Sequence, residues 1–534
     1  SDFGGVARVK SVADALKTEA TTGPRPHDQR IGKRGVIMVS SGDNFLPGPV
    51  FNAGLEKGVP FYDTIAMDLI GYDAIAIGNH DFDFGPDVLA DFISGYEMTK
   101  PPYLSSNLIF DAEPRLLELM MQGRIAKSTI VIERGERIGV IGATTPMLRF
   151  ISSPRNVEVI DDVASAVQAE VGKLKKQKVD KIVLISHLQT VEEDLELIGS
   201  LSGVDIVVAG GGDEVLANEG DLLVPGHEEH VYGPYPMSAM DSAGVAVPVV
   251  TTAGSYAYVG RLVAGFDRHG NVVAIGGNSG PVRVAGGDNP DAVMPDPIVQ
   301  ARVVDPVIAA LAGMSENVIA VSEVGLDGRR PVIRTAETNL GNLCADSLLW
   351  QASQLAPVYG VPTPNVALQN GGGIRNDSII PAGPFTELDA FTVLPFSNFV
   401  ALVPEVPRDQ FKAILENAVS RVENVDGRFA QVAGFSFTYD AAAPAGSRVR
   451  EATLDDGTVL IAGGAVVPGT ALNVATIDFL ARGGDQYPYA GAAFTTLGVT
   501  YQQGLVNYLV DGLGGTIDAA TSPEGGEGRI VRLN

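Results

Sequence analysis

The residues best suited to chemistry stand together in Gly78-Asn79-His80-Asp81-Phe82-Asp83, directly after the apolar run Ala74-Ile75-Ala76-Ile77. Imidazole titrates near neutral pH without help, and Asp83, three residues beyond His80, can fix its tautomer and orientation for general acid or base work. The plainer reading is a turn of no consequence, and the tripeptide alone does not decide between the two. Three other runs repeat the pattern. Val36-Ile37-Met38-Val39 leads into Ser40-Ser41-Gly42-Asp43-Asn44, Ile182-Val183-Leu184-Ile185 into Ser186-His187, and Ile206-Val207-Val208 into Gly210-Gly211-Gly212-Asp213. Four apolar runs ending in a carboxylate, an amide or an imidazole read as strands that deliver polar groups to one end of a sheet.

Asp, Asn and His together suit a divalent metal such as zinc, manganese or cobalt better than calcium, which takes all-oxygen shells. Two ions about 3.5–4 Å apart, sharing one carboxylate, would clamp the attacking and leaving oxygens of a phosphoryl transfer. Asp43 is the natural bridge. His80 would then stand beside the transferred group, stabilising charge or protonating the leaving oxygen, with Asp83 orienting it. His187 also has a plainer reading, as a strand-end histidine satisfied in the core.

The elements that must position these groups follow an α/β pattern to about residue 300, with Val163, Val167, Val171 and Leu174 at the spacing of a covering helix. Asp291 to Pro297 is Pro-rich, Ile298 to Met314 is a helix candidate, and a second α/β domain begins near Val318. At 534 residues the chain needs more than one core. Its 38 basic and 64 acidic residues give a net charge of −26, which argues against a nucleic-acid polymer or an anionic membrane as partner. No apolar run looks long enough to span a bilayer, and no leader is expected at Ser1. Cys344 is the only cysteine, so intrachain disulfides and Cys-based zinc clusters are excluded.

The second domain offers a surface of another kind. Asn370-Gly371-Gly372-Gly373-Ile374-Arg375 follows the strand-like Asn365-Val366-Ala367-Leu368, so flexible backbone and a guanidinium lie together, as a phosphate or carboxylate requires. Phe396 and Phe479 lie near loop-like residues where paired rings could stack a planar base, or they belong to the core. Asp485 could accept from a sugar hydroxyl.

At these residues the sequence resembles the 5′-nucleotidase family of two-domain metallophosphoesterases, which includes UDP-sugar hydrolases and 2′,3′-cyclic phosphodiesterases. The match rests on Gly42-Asp43, the segment 78–85, Ser186-His187-Leu188, Ala253-Gly254-Ser255-Tyr256, Asn339-Leu340-Gly341-Asn342-Leu343, the segment 370–375, Leu394-Pro395-Phe396 and the segment 479–485. It implies a four-layer αββα metallophosphatase domain (1–295), a linker helix (296–317) and a C-terminal substrate-binding α/β domain (318–534). By the same resemblance, the metal ligands are Asp43, Asn79 and His187, and the catalytic pair is His80 and Asp83. The substrate residues are Arg334, Asn370, Arg375, Phe396, Phe479 and Asp485.

One motif departs from the pattern. The family's Gly-His-x-His or Gly-His-x-Gln falls on Gly210-Gly211-Gly212-Asp213, so one imidazole is replaced by no side chain and the other ligand by a carboxylate. Asp213 is therefore expected to bind metal through oxygen, which favours manganese, magnesium or calcium. The segment His227-Glu228-Glu229-His230 offers substitute ligands or a solvated loop. The family's first strand, with its Asp-x-His, would precede Gly4-Gly5. The expectation is a divalent-metal hydrolase, with two ions of Mn, Zn, Mg or Ca, that attacks nucleotide phosphate esters with metal-activated water in the periplasm, cell envelope or exterior. The alternative is a nucleotide-binding or cell-surface protein that has lost an efficient metal centre. A shifted specificity toward activated diesters stays within the first reading.

Overall fold

The computed structural model describes residues 2–22, 33–489 and 491–534; Ser1 lies outside them. The chain divides into two units, one formed by Ser1–Leu46, Ala53–Arg149 and Ser153–Ile308, the other by Pro47–Asn52, Phe150–Ser152 and Ala309–Asn534.

In the first unit, runs of Val, Ile and Ala build two sheets. Strands buried on both faces read as unbroken apolar runs, not as alternation. A four-stranded sheet, in the order Val39–Ser40, Ala74–Ala76, Tyr103–Leu104, Ile125–Ala126, is parallel throughout. A six-stranded sheet runs Met237–Met240, Ala246–Val250, Ile206–Val208, Lys181–His187, Glu136–Thr144, Ser128–Glu133, with its three inner pairings parallel and its two edge pairings antiparallel. The sheets pack face to face: Ala74, Ala76 and Leu104 of one share a core with Val140, Val183, Ile185 and Ile206 of the other. Behind the six-stranded sheet, helices Val163–Lys176 and Val191–Ile198 bury Val163, Val167, Val171, Leu174, Val191 and Ile198. On the other side, helices Val6–Thr22 and Tyr62–Ile70 contribute Val9, Val12, Ala13 and Ile70 to a separate core. The result is the αββα order.

The second unit is built on a five-stranded mixed sheet in the order Ala430–Ala433, Val366–Asn370, Leu472–Ile477, Phe399–Val406, Thr495–Thr500. The long helix Asn339–Tyr359 lies against it and buries Leu340, Leu343, Cys344 and Leu348. Its start is fixed by Thr338, whose Oγ1 accepts from the Gly341 amide at 2.9 Å, a cap worth about 1 kcal/mol. The motif around Asn339 is thus architectural: Asn339 Oδ1 accepts from the Asp327 amide and its Nδ2 donates to the Gly325 carbonyl.

A helix spans Pro297–Glu316, with a π turn at Gln300–Val304. It corrects one expectation, because its 20 residues are long and apolar enough by length and composition to cross a membrane. Arg302 and Asp305 interrupt its apolar run.

Candidate functional site

The chemistry-bearing loops of the first unit leave the C-terminal ends of parallel strands in both sheets, where α/β folds place their sites. Val39–Ser40 and Ala74–Ala76 are neighbours in one sheet, and beyond them lie Asp43 and Asn79; Lys181–His187 of the other ends on His187. The loops approach so closely that Gly42 has no room for a side chain: a Cβ there would stand 2.5 Å from His187 Nδ1 and 2.9 Å from the Gly78 amide. Asp43 itself is left-handed, with φ 51°. Two bonds hold this loop, from the His80 amide to Asp43 Oδ1 at 2.8 Å and from the Asn44 amide to Asp81 Oδ1 at 3.0 Å. Asp81, fully buried, also accepts from the Gly78 amide at 2.8 Å, and burial pushes its carboxyl up to about 7.

Asp43, Asn79 and His187 come together. His187 Nδ1 lies 2.6 Å from the Ser41 carbonyl, which can only accept, so Nδ1 carries the proton of the neutral ring. Its Nε2 then turns a lone pair toward Asp43 Oδ2 at 3.1 Å and Asn79 Oδ1 at 3.2 Å. Three acceptors facing one another need a cation among them. Burial works against charge on both groups. The attraction between them prevails, drawing Asp43 below the usual carboxylate range and His187 above that of histidine, so that without a metal ion a proton on Nε2, donated to Asp43, takes the cation's place. The donor set, one carboxylate, one amide oxygen and one imidazole with its other nitrogen tied to backbone, fits a divalent metal ion.

His80 and Asp83 bracket a single 3₁₀ turn, His80–Phe82, which places positions i and i+3 on one side; His80 Nδ1 bonds Asp83 Oδ2. That bond assigns the proton to Nδ1 and leaves Nε2 as the basic nitrogen of the ring.

Asp213 Oδ1 accepts from the Gly254 amide at 3.3 Å, and among the described residues no three His, Cys, Asp or Glu side chains form a metal-holding group. Its neighbour Glu214 accepts from the Val191 amide at 3.1 Å. His227 pairs with the Tyr258 hydroxyl at 3.0 Å, and 228–230 are exposed. Gly211, where the resemblance asks for an imidazole, has φ +100°. A Cβ there would fall on the Leu188 carbonyl oxygen, 2.7 Å from its carbon and 3.3 Å from Gln189 Cα. The backbone of Leu188 and Gln189 occupies the side chain's place.

In the second unit, Asn370 Nδ2 donates to Asp485 Oδ2 at 2.6 Å, and Gln369 Nε2 to Asn370 Oδ1 at 2.9 Å. Burial pushes the Asp485 carboxyl up to about 6. Arg334 is 7% exposed and its Nε has no hydrogen-bond partner among the described residues. Burial, then repulsion from Arg330 and Arg375, brings its guanidinium down to about 10. Exposed Arg375 stacks over the half-buried Phe396, Cζ to ring centroid 5.7 Å. Phe479, also half-buried, packs against the core beside Gly484.

Sequence reasoning missed several members. Arg330 adds positive charge beside Arg334, and helix Arg408–Val419 sends Asn417 Nδ2 to the Asp485 carbonyl at 3.1 Å. Gln189 Nε2 reaches Asn79 Oδ1 at 3.1 Å.

A family model described as 5′-nucleotidase, C-terminal domain, matches residues 318–492. Mouse 5′-nucleotidase is 31% identical over 438 residues, covering 82% of this chain and 70% of that one. A crystal structure of the 5′-nucleotidase precursor from Thermus thermophilus superposes with a TM-score of 0.73 at 32% identity, covering 100% of this chain and 94% of that one. The chain belongs to the 5′-nucleotidase family. The trifunctional nucleotide phosphoesterase protein YfkN of Bacillus subtilis (strain 168) is 29% identical over 515 residues, and the chain spans 32% of its length.

Proposed function

We propose that this chain hydrolyses phosphate esters of nucleotides with the help of a divalent metal. The observation that carries the reading is the approach of Asp43 Oδ2 and Asn79 Oδ1 to His187 Nε2, at 3.1 and 3.2 Å. When bound, a divalent ion supplies charge neutralisation for the phosphoryl oxygens and lowers the pKa of water. The chain's own residues do the rest. His80, oriented by Asp83 through Nδ1, stabilises charge on the transferred group and, when its ring carries both protons, protonates the leaving oxygen from Nε2. Arg334 and Arg375 hold the anionic group of the substrate, Phe396 and Phe479 stack its base, and Asp485, steadied by Asn370, accepts from the sugar hydroxyls.

The division 1–295, 296–317 and 318–534 belongs to the same reading, supported by the helix at Pro297–Glu316. So does a place in the periplasm, envelope or cell exterior, with which the description of the Thermus relative as a precursor agrees. The choice among Mn, Zn, Mg and Ca, and the number of ions, would be read from metal analysis.

The test is phosphate release from AMP, with 2′,3′-cyclic AMP in parallel, by protein stripped with chelator and resupplied with each ion in turn. Turnover restored by metal is the expected result. A second reading, a nucleotide-binding protein without an efficient centre, is favoured by the backbone that fills the side-chain space at Gly211. It predicts no turnover with any ion, while calorimetry still detects AMP binding.

A further inference from the structure

The backbone of Leu188 and Gln189 stands where a Cβ at Gly211 would fall, and the Gln189 carboxamide reaches the cluster, its Nε2 3.1 Å from Asn79 Oδ1. Asn79 Oδ1 in turn lies 3.2 Å from His187 Nε2, which is 3.1 Å from Asp43 Oδ2. Two donors at right angles on one ion, with bonds of about 2.1–2.2 Å, lie ~3.0–3.1 Å apart. All three separations are of this size. The two ends of a carboxamide exchange by rotation about its last torsion, so the group that donates to Asn79 can equally present Oε1 at the same place. Doing so gives up the 3.1 Å bond from Nε2 to the Leu188 carbonyl, and only a cation in front of Oε1 offsets that loss.

We propose that Gln189 is a metal ligand of this chain, its Oε1 taking the place of the imidazole absent at 211 beside Asp43, Asn79 and His187. This rests on the reading of those three as a metal site. The resulting set has three oxygens and one nitrogen. Exchanging an imidazole for an amide oxygen moves preference from zinc toward manganese.

The experiment titrates Mn²⁺ into the chelator-stripped full chain by calorimetry, with free Mn²⁺ followed in parallel by electron paramagnetic resonance. Gln189→Ala should weaken Mn²⁺ binding at least about 10-fold, and Gln189→Glu, which keeps an oxygen donor, should bind within about threefold of the unaltered chain. His187→Ala is the control for the underlying site. If it binds Mn²⁺ normally, the site reading itself fails. If it loses the ion while Gln189→Ala does not, only the role of Gln189 is overturned. A Gln189→Glu protein as weak as Gln189→Ala would show that the N–H donated to Asn79 is what matters, which also overturns the proposal. Should Gln189→Ala fail to fold, Gln189→Glu decides alone: keeping the ion supports the proposal, and losing it overturns it.

Discussion

The polar clusters of the two units are wired in opposite senses. In the first, acceptors face acceptors: Asp43 Oδ2 and Asn79 Oδ1 both confront the lone pair of His187. In the second, donors crowd together: Arg334 is buried near Arg330 and Arg375 with its Nε unpartnered among the described residues, while Asn370 and Asp485 satisfy each other. Each arrangement is costly alone and is relieved by a ligand of the opposite kind, a cation in one and an anion in the other. Unsatisfied groups thus name the ligand more directly than satisfied ones.

The largest expected effect tests the first cluster. His80→Ala should lower metal-dependent phosphate release from AMP about 10²–10⁴-fold, with Mn²⁺ binding unchanged because His80 meets Asp43 through its backbone amide. A loss of metal along with activity would make His80 part of the acceptor cluster and blur the contrast. The second cluster is tested by Arg334→Ala. Removing charge-assisted bonds to an anion should raise KM for AMP roughly 10–100-fold with kcat within a few-fold. A fall in kcat at constant KM would mean that Arg334 acts on the transition state.

The smallest effect concerns the support behind His187. Asp194 is fully buried, accepts from Ser186 Oγ, and burial pushes its carboxyl up to about 7. A folded-state value above the unfolded 3.8 means the native chain binds the extra proton. Its contribution is therefore fully present below about pH 4 and is lost as pH rises through 7. Asp194→Asn removes that loss, so calorimetric scans should show its Tm exceeding that of the unaltered chain by an increment that grows from pH 5 to pH 8, to a few degrees.

Much of the framework could be read in advance. Unbroken Val/Ile runs marked the inner strands, the Val163 to Leu174 stripe marked a covering helix, and the candidate at 298–314 falls within the helix Pro297–Glu316. Asp43, Asn79 and His187 each follow such a run, and the structure brings them together. Asp213 satisfied the same rule, and its carboxylate accepts from the Gly254 amide. Asn417 and Arg330 were invisible, since neither spacing nor type tells which distant helix will touch the Asp485 loop. The triple glycine was visible as a missing ligand. What no sequence pattern showed was that its space had been filled.

That filling acts as a ratchet. A histidine restored at 211 would meet the Leu188 carbonyl before its ring could reach any ion, and a left-handed φ of +100° resists every L side chain. A single substitution to histidine at 211 therefore does not fit while residues 188 and 189 stand where they do. An imidazole there would require both to withdraw, and the Gln189 carboxamide with them.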